Sequence, residues 1–179
     1  MKKIVIAVLA LFFVVGGGTA AFASSSGPFE VDASFGFATG PDSFDSGLGL
    51  NVGAGYMLSS IDKNLQARVD VSYFDFSKDN GFITLSYTRA PLMVGARYYF
   101  PINDQMKAFA QVGLEASIDA HDNFDFLGKH TKNEVNLGIT PGGGIEYYVI
   151  PEVSLFALGR FHIITDNYFS VEFGAAFHF

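Results

Sequence analysis

Without cysteine, any chemistry in this protein must come from histidine, hydroxyl and carboxylate groups, since no thiolate, disulfide or cysteine-based zinc site is available. There are four histidines. His121 and His130 sit in the polar stretch His121 to Glu134, beside Asp122, Asn123, Asp125 and Asn133, while His162 and His178 alternate with apolar neighbours near the C-terminus. A hydrolase needs a nucleophile beside a base. His121-Asp122 has the types of a His–Asp pair, but no Ser lies close by in sequence, and His162 is followed by Ile163 and Ile164. Oxygen ligands in the same stretch would suit Ca²⁺, yet the Asp-x-Asp-x-Asp-Gly spacing of a calcium loop is absent. Solvated histidines in an acidic loop account for these residues, with His178 lining the mouth at one end. The residues predict no catalysis, no metal and no cofactor.

The broader composition narrows the function classes. Apolar residues make up 49% of the 179, aromatics 16% and charged residues 16%, against about 25% charged in an ordinary globular domain. Such a chain is too apolar to remain disordered. Its formal charge of −7 has the wrong sign for nucleic acid. Met1-Lys2-Lys3, the apolar run Ile4 to Val15, and small residues at Ala21 and Ala23 follow the three-part pattern of an export signal cleaved before Ser24. The competing reading, a membrane anchor, would need about 20 apolar residues, and Gly16-Gly17-Gly18 interrupts this run. Residues 1–23 are thus expected to be a signal peptide and 24–179 one domain.

Within that domain the sequence alternates. In Phe29-Glu30-Val31-Asp32-Ala33-Ser34-Phe35-Gly36-Phe37 every odd residue is apolar and every even one polar or tiny, the period of a strand with two unlike faces. The same pattern recurs at Leu48 to Leu58, Leu65 to Tyr73, Leu92 to Phe100, Ala108 to Ile118, Val135 to Val149, Leu155 to Ile163 and Phe169 to Phe179. Short turns (59–64, 101–106, 150–153) alternate with mostly longer, more polar loops (39–47, 77–82, 121–134, 165–168). Eight strands joined this way predict an all-β, antiparallel up-and-down transmembrane barrel with both termini at the periplasmic end. The apolar face carries no charge, and aromatics gather at both strand ends, as lipid and its interfaces require. The other face is rich in glycine, including Gly36, Gly49, Gly53, Gly55, Gly95 and Gly174, which suits the narrow interior of eight strands. At Thr84 to Pro91 the apolar Leu85 and Tyr87 fall on the wrong phase. Either a bulge lies near Arg89-Ala90-Pro91, or this stretch projects beyond the membrane.

The final strand, Phe169-Ser170-Val171-Glu172-Phe173-Gly174-Ala175-Ala176-Phe177-His178-Phe179, resembles the C-terminal signature of bacterial outer-membrane barrels. Pro91 to Pro101 and Pro141 to Tyr148 are similar to strand motifs of the small OmpA/OmpX-type barrel family. The resemblance covers Ser24 to Phe179. It implies an outer-membrane location in a Gram-negative bacterium, and an assembly signal at Phe173, Phe177 and Phe179 read by the assembly machinery. Family members share a fold rather than one activity; they include membrane stabilisers, adhesins, narrow pores and lipid-modifying enzymes. A structural or surface-interaction barrel and a narrow diffusion pore both remain open, with the enzyme reading behind them. Expected partners are outer-membrane lipid and lipopolysaccharide, and a monomer is expected. Charges on the inward phase must pair with one another. They include Arg68, Arg97, Glu115, Glu146, Arg160 and Glu172. Hairpin spacing, with turns centred near Glu152 and Asn167, predicts that Arg160 is flanked by Glu146 and Glu172.

Overall fold

The computed structural model describes residues 27–40, 46–79, 84–125 and 128–179, with the side chains of 78–85 and 121–133 outside the description. The expected export signal therefore lies outside the described residues. Eight strands follow in order: β1 Phe29–Ala38, β2 Gly47–Met57, β3 Leu65–Asp79, β4 Thr84–Pro101, β5 Met106–Asp125, β6 Gly128–Ile150, β7 Val153–His162 and β8 Tyr168–His178. Each pairs antiparallel with the next, and β8 returns to β1 to close the barrel. The seam is pinned at the chain end: the Phe29 N–H donates to the Phe179 carbonyl at 3.0 Å, and the Phe179 N–H to the Phe29 carbonyl at 2.9 Å. Closure leaves no strand edge to desolvate, which is the condition for crossing lipid with strands.

The polarity of a soluble domain is inverted. Leu114 is 71% exposed on the outside and Leu137 78%, whereas Arg89, Asp70 and Asp119 are fully buried within. Every strand contributes to this apolar outer surface, far more than a water-soluble protein exposes. Aromatics ring it at two levels. Phe29, Tyr56, Phe100, Tyr147 and Phe177 lie near the termini, and Phe37, Phe161 and Phe169 lie at the opposite end. Inside, the walls approach so closely that glycine is required at particular places. A side chain at Gly53 would run into the Arg68 guanidinium and the Asp32 carboxylate, and one at Gly49 into the Phe74 ring.

At the polar end one open alternative is decided and one expectation is corrected. No bulge separates Thr84 to Pro91 from the rest of β4. Its pairing with β5 keeps one register from Ser86↔Asp122 to Pro101↔Lys107. Tyr87 is apolar on the inward phase because it packs into the lumen, fully buried, against Phe76. The outward Ser86 and Thr88 are polar, as in a strand that has left the apolar band. Likewise, the stretch 121–134 is no open loop. β5 and β6 stay paired to Asp125↔Gly128. A tilted strand needs only about 9–11 residues to span the membrane, and β5 has 20 and β6 23. The far end of this hairpin therefore stands clear of the bilayer. Out there no face must be apolar, so the period of two disappears while backbone pairing continues.

Gly53→Val should overpack the lumen and cost about 1–3 kcal/mol of stability. Urea unfolding of the protein folded in detergent micelles measures it; an unchanged midpoint would mean that the interior has room to spare.

Candidate functional site

The polar side chains inside the barrel form the candidate site. Its tier nearest the two ends of the barrel chain centres on Arg68, which β3 turns inward between β2 and β4. Arg68 donates to Asp70 at 2.6 Å, Asp32 at 2.7 Å and Glu30 at 3.2 Å. Glu30 also accepts from Gln66 at 2.7 Å, Tyr99 at 2.9 Å and Arg97 at 3.4 Å. Arg97 bonds Gln111 at 3.0 Å and lies 4.1 Å over the Phe109 ring. At mid-height Arg160 donates to Glu172 at 3.1 Å and to Asp70 at 3.4 Å. The charged groups among them are all at most 2% exposed. Water screens them little, so every carboxylate depends on a positioned donor.

The geometry joins Arg160 to Glu172 but not to Glu146. The expected register was wrong at both hairpins. Between β6 and β7 the register shifts between Tyr148 and Ile150, so Glu146 faces Phe156. Arg160 is then four residues further along β7, about 13 Å at 3.3 Å per residue. Between β7 and β8 the Asn167 side chain accepts the Ile164 N–H at 3.1 Å, which closes a loop centred on Thr165 rather than Asn167. Glu172 consequently faces Leu158, and Arg160 faces Ser170. A long guanidinium spans the remaining diagonal step to Glu172.

Above this tier, His162 Nδ1 is 2.6 Å from Glu115 Oε2 and its Nε2 is 3.1 Å from Ser170 Oγ. Thr140 also donates to Glu115. A hydroxyl, an imidazole and a carboxylate in a row have the connectivity of an activated nucleophile. Sequence spacing hid it, because the three residues lie on β5, β7 and β8. Access decides its meaning. Ser170 is fully buried, and Phe74 and Tyr168 pack over His162, with Tyr168 stacked at 3.9 Å between centroids. Phe74, Phe76, Tyr87 and Tyr168, with Ala38 and Ile164, form an aromatic lid across the upper lumen. On its level Arg89 grips Asp119 through two bonds, 2.9 and 2.7 Å long. Sequence reading missed this pair, since both residues fall just outside the segments with clean alternation; the inward phase of Arg89 was the available signal.

At the mouth beside Phe29 and Phe179, Ser154 donates to Glu146, and His178 Nε2 lies 3.0 Å from the same carboxylate. The three C-terminal aromatics are on or beside the outer face of β8. Phe173 and Phe177 face outward, and Phe179 stacks on Phe29 with ring centroids 5.9 Å apart.

The family model for the outer membrane protein beta-barrel domain matches residues 7–179. No curated protein matches the chain. Among solved structures it is similar to neisserial surface protein A (NspA), with 20% identity and a TM-score of 0.67 over 87% of this chain and 100% of that one. It is also similar to OprG from Pseudomonas aeruginosa, with 12% identity and a TM-score of 0.62 over 86% and 96%. The attachment invasion locus protein Ail of Yersinia pestis gives 15%, 0.58, 84% and 98%. At these identities the likeness is one of fold.

Arg68→Met would take a cation from three buried carboxylates and leave Asp32 with no arginine, and should cost about 3–5 kcal/mol. Adding Asp32→Asn and Asp70→Asn should recover a large part of the loss. Unfolding midpoints in micelles read both effects; a single variant as stable as the wild type would deny Arg68 its place at the centre.

Proposed function

The chain belongs to the outer membrane protein beta-barrel family and lies in the outer membrane of a Gram-negative bacterium; from that premise we propose that it is a sealed, monomeric barrel whose work is done at its surface, without catalysis. The observation that carries this reading is the occluded lumen. Phe74, Phe76, Tyr87 and Tyr168 close its upper half, and Arg68, Arg97 and Arg160 with their carboxylates fill the rest. Eight strands enclose space for little else. A hydrolytic role for Ser170 would need substrate to pass Phe74 and Tyr168, and a pore would need ions to pass Arg160 as well.

What remains available is the exterior. The apolar belt meets outer-membrane lipid, and the β5–β6 hairpin stands beyond it, carrying Asp122 and Asp125 in sequence. Acidic residues there suit lipopolysaccharide through bridging divalent cations, or a partner at the cell surface. Ail is named for attachment; for this chain an attachment role is supported by the closed lumen and projecting hairpin rather than by that likeness. The outward aromatics at Phe173, Phe177 and Phe179 support delivery by the outer-membrane assembly machinery.

In planar bilayers the purified protein should show no steady conductance. A stable open level in the wild type would establish the pore reading, and one seen only in Arg160→Ala would make Arg160 a gate. Phe179→Ala removes one rim aromatic stacked on Phe29, so refolded protein should keep its barrel while outer-membrane levels in cells fall several-fold. Equal levels of mutant and wild type would exclude an assembly role for this residue.

A further inference from the structure

Among the described residues, buried carboxylates outnumber buried guanidinium groups by seven to four. Arginine reaches five of the seven within bridging distance. The two it does not reach, Glu115 and Glu146, each face a histidine instead. The resulting pairs differ in access. Glu115–His162 is shut beneath the aromatic lid, with His162 1% exposed. Glu146–His178 lies at the periplasmic mouth, where the His178 side chain is 12% exposed.

A third donor converges there. Glu30 Oε2 is 3.8 Å from His178 Nδ1, and one ligand atom each from Glu30, Glu146 and His178 lie within 4.8 Å of one another. The second oxygen of Glu146, Oε2, is buried with no hydrogen-bond partner. Glu146 is 1% exposed, has no arginine and keeps one oxygen unpartnered, and Lys107, opposite it on β5, gives its ammonium to the Tyr148 hydroxyl.

We propose that Glu30, Glu146 and His178 form a binding site for a divalent transition-metal ion, with Zn²⁺ the best-suited occupant, taken up from the periplasmic side. One imidazole and two carboxylates are an N/O set of the kind zinc accepts, whereas Ca²⁺ and Mg²⁺ prefer oxygen alone. Tetrahedral bonds of 2.0–2.2 Å hold ligand atoms about 3.4 Å apart. With one ligand atom from each residue the three lie within 4.8 Å of one another, so shifts of up to about 1.4 Å bring them to that spacing. Ser154 Oγ, 2.9 Å from His178 Nε2, or water supplies a fourth ligand. The ligating nitrogen must be unprotonated, so uptake displaces any proton it holds. Arg68 and Arg97, both bonded to Glu30, oppose the cation and keep the affinity moderate. Because Glu30 is on β1, Glu146 on β6 and His178 on β8, the ion would tie the barrel's seam to β6 across the intervening β7.

The test is calorimetric titration of ZnCl₂ into protein folded in detergent micelles near neutral pH, with thermal unfolding measured alongside. One ion per chain should bind and raise the unfolding temperature. His178→Gln and Glu146→Gln should each weaken binding at least tenfold while the heat-modifiable gel shift stays intact. Glu115→Gln, and the double variant His121→Gln with His130→Gln, should bind as the wild type does. In the wild type, Co²⁺ should develop the visible absorption of a four-coordinate N/O site, which needs no variant to fold. No zinc binding, binding unchanged in His178→Gln, or binding lost with the two outer histidines would each overturn the proposal.

Discussion

A bilayer core offers no hydrogen bond to a peptide group, and that single absence organises the molecule. The backbone must satisfy itself, so the chain becomes strands and the last strand must find the first. The exchange of bonds between Phe29 and Phe179 is where this requirement is met at the chain end. Closure at eight strands then sets the interior volume. Lipid outside forces the apolar residues outward, which leaves the polar ones nowhere to go but a narrow lumen. There Gly49 and Gly53 make space for Phe74 and Arg68, and each charge is held by another charge or by a neutral donor.

Legibility in the sequence follows the same constraint. Wherever a residue faces lipid its type is restricted, so all eight strands and both faces could be read from alternation alone. Above the belt the restriction lifts, and the pattern vanishes although the strands do not. Hence 121–134 resembles a loop and Tyr87 looks out of phase. The ion pairs were harder to read because a partner depends on register. One irregularity near Tyr148 and one side-chain bond from Asn167 move the expected partners by two and four residues. Arg160 still meets Glu172, since a guanidinium reaches one diagonal step. Glu146 has a short, fixed side chain and ends in another tier altogether. Asp70, which also bonds Arg160, was named as an inward charge but could not be assigned to it, because the contact crosses the lumen and no hairpin relates β3 to β7.

The lumen also shows why residue types alone do not identify chemistry. Ser170, His162 and Glu115 stand in the order that activates a nucleophile, yet the same burial that aligns them excludes a substrate. Their bonds instead satisfy polar groups that would otherwise sit unpaired in a dry interior. In such surroundings a serine beside a histidine is explained by hydrogen-bond demand before any reaction is invoked.

Histidine is the one side chain that can serve this interior as either a neutral donor or a cation. Both carboxylates beyond the reach of arginine face one. Below the lid, His162 and Thr140 both bond Glu115 Oε2 while its Oε1 has no hydrogen-bond partner, and no solvent or ion can reach it there. At the mouth, Glu146 keeps an unpartnered oxygen while its histidine touches solvent. Both pairs thus leave one carboxylate oxygen unpartnered, and what separates them is access: His162 is 1% exposed beneath the lid, whereas the His178 side chain is 12% exposed where the barrel opens to an external cation.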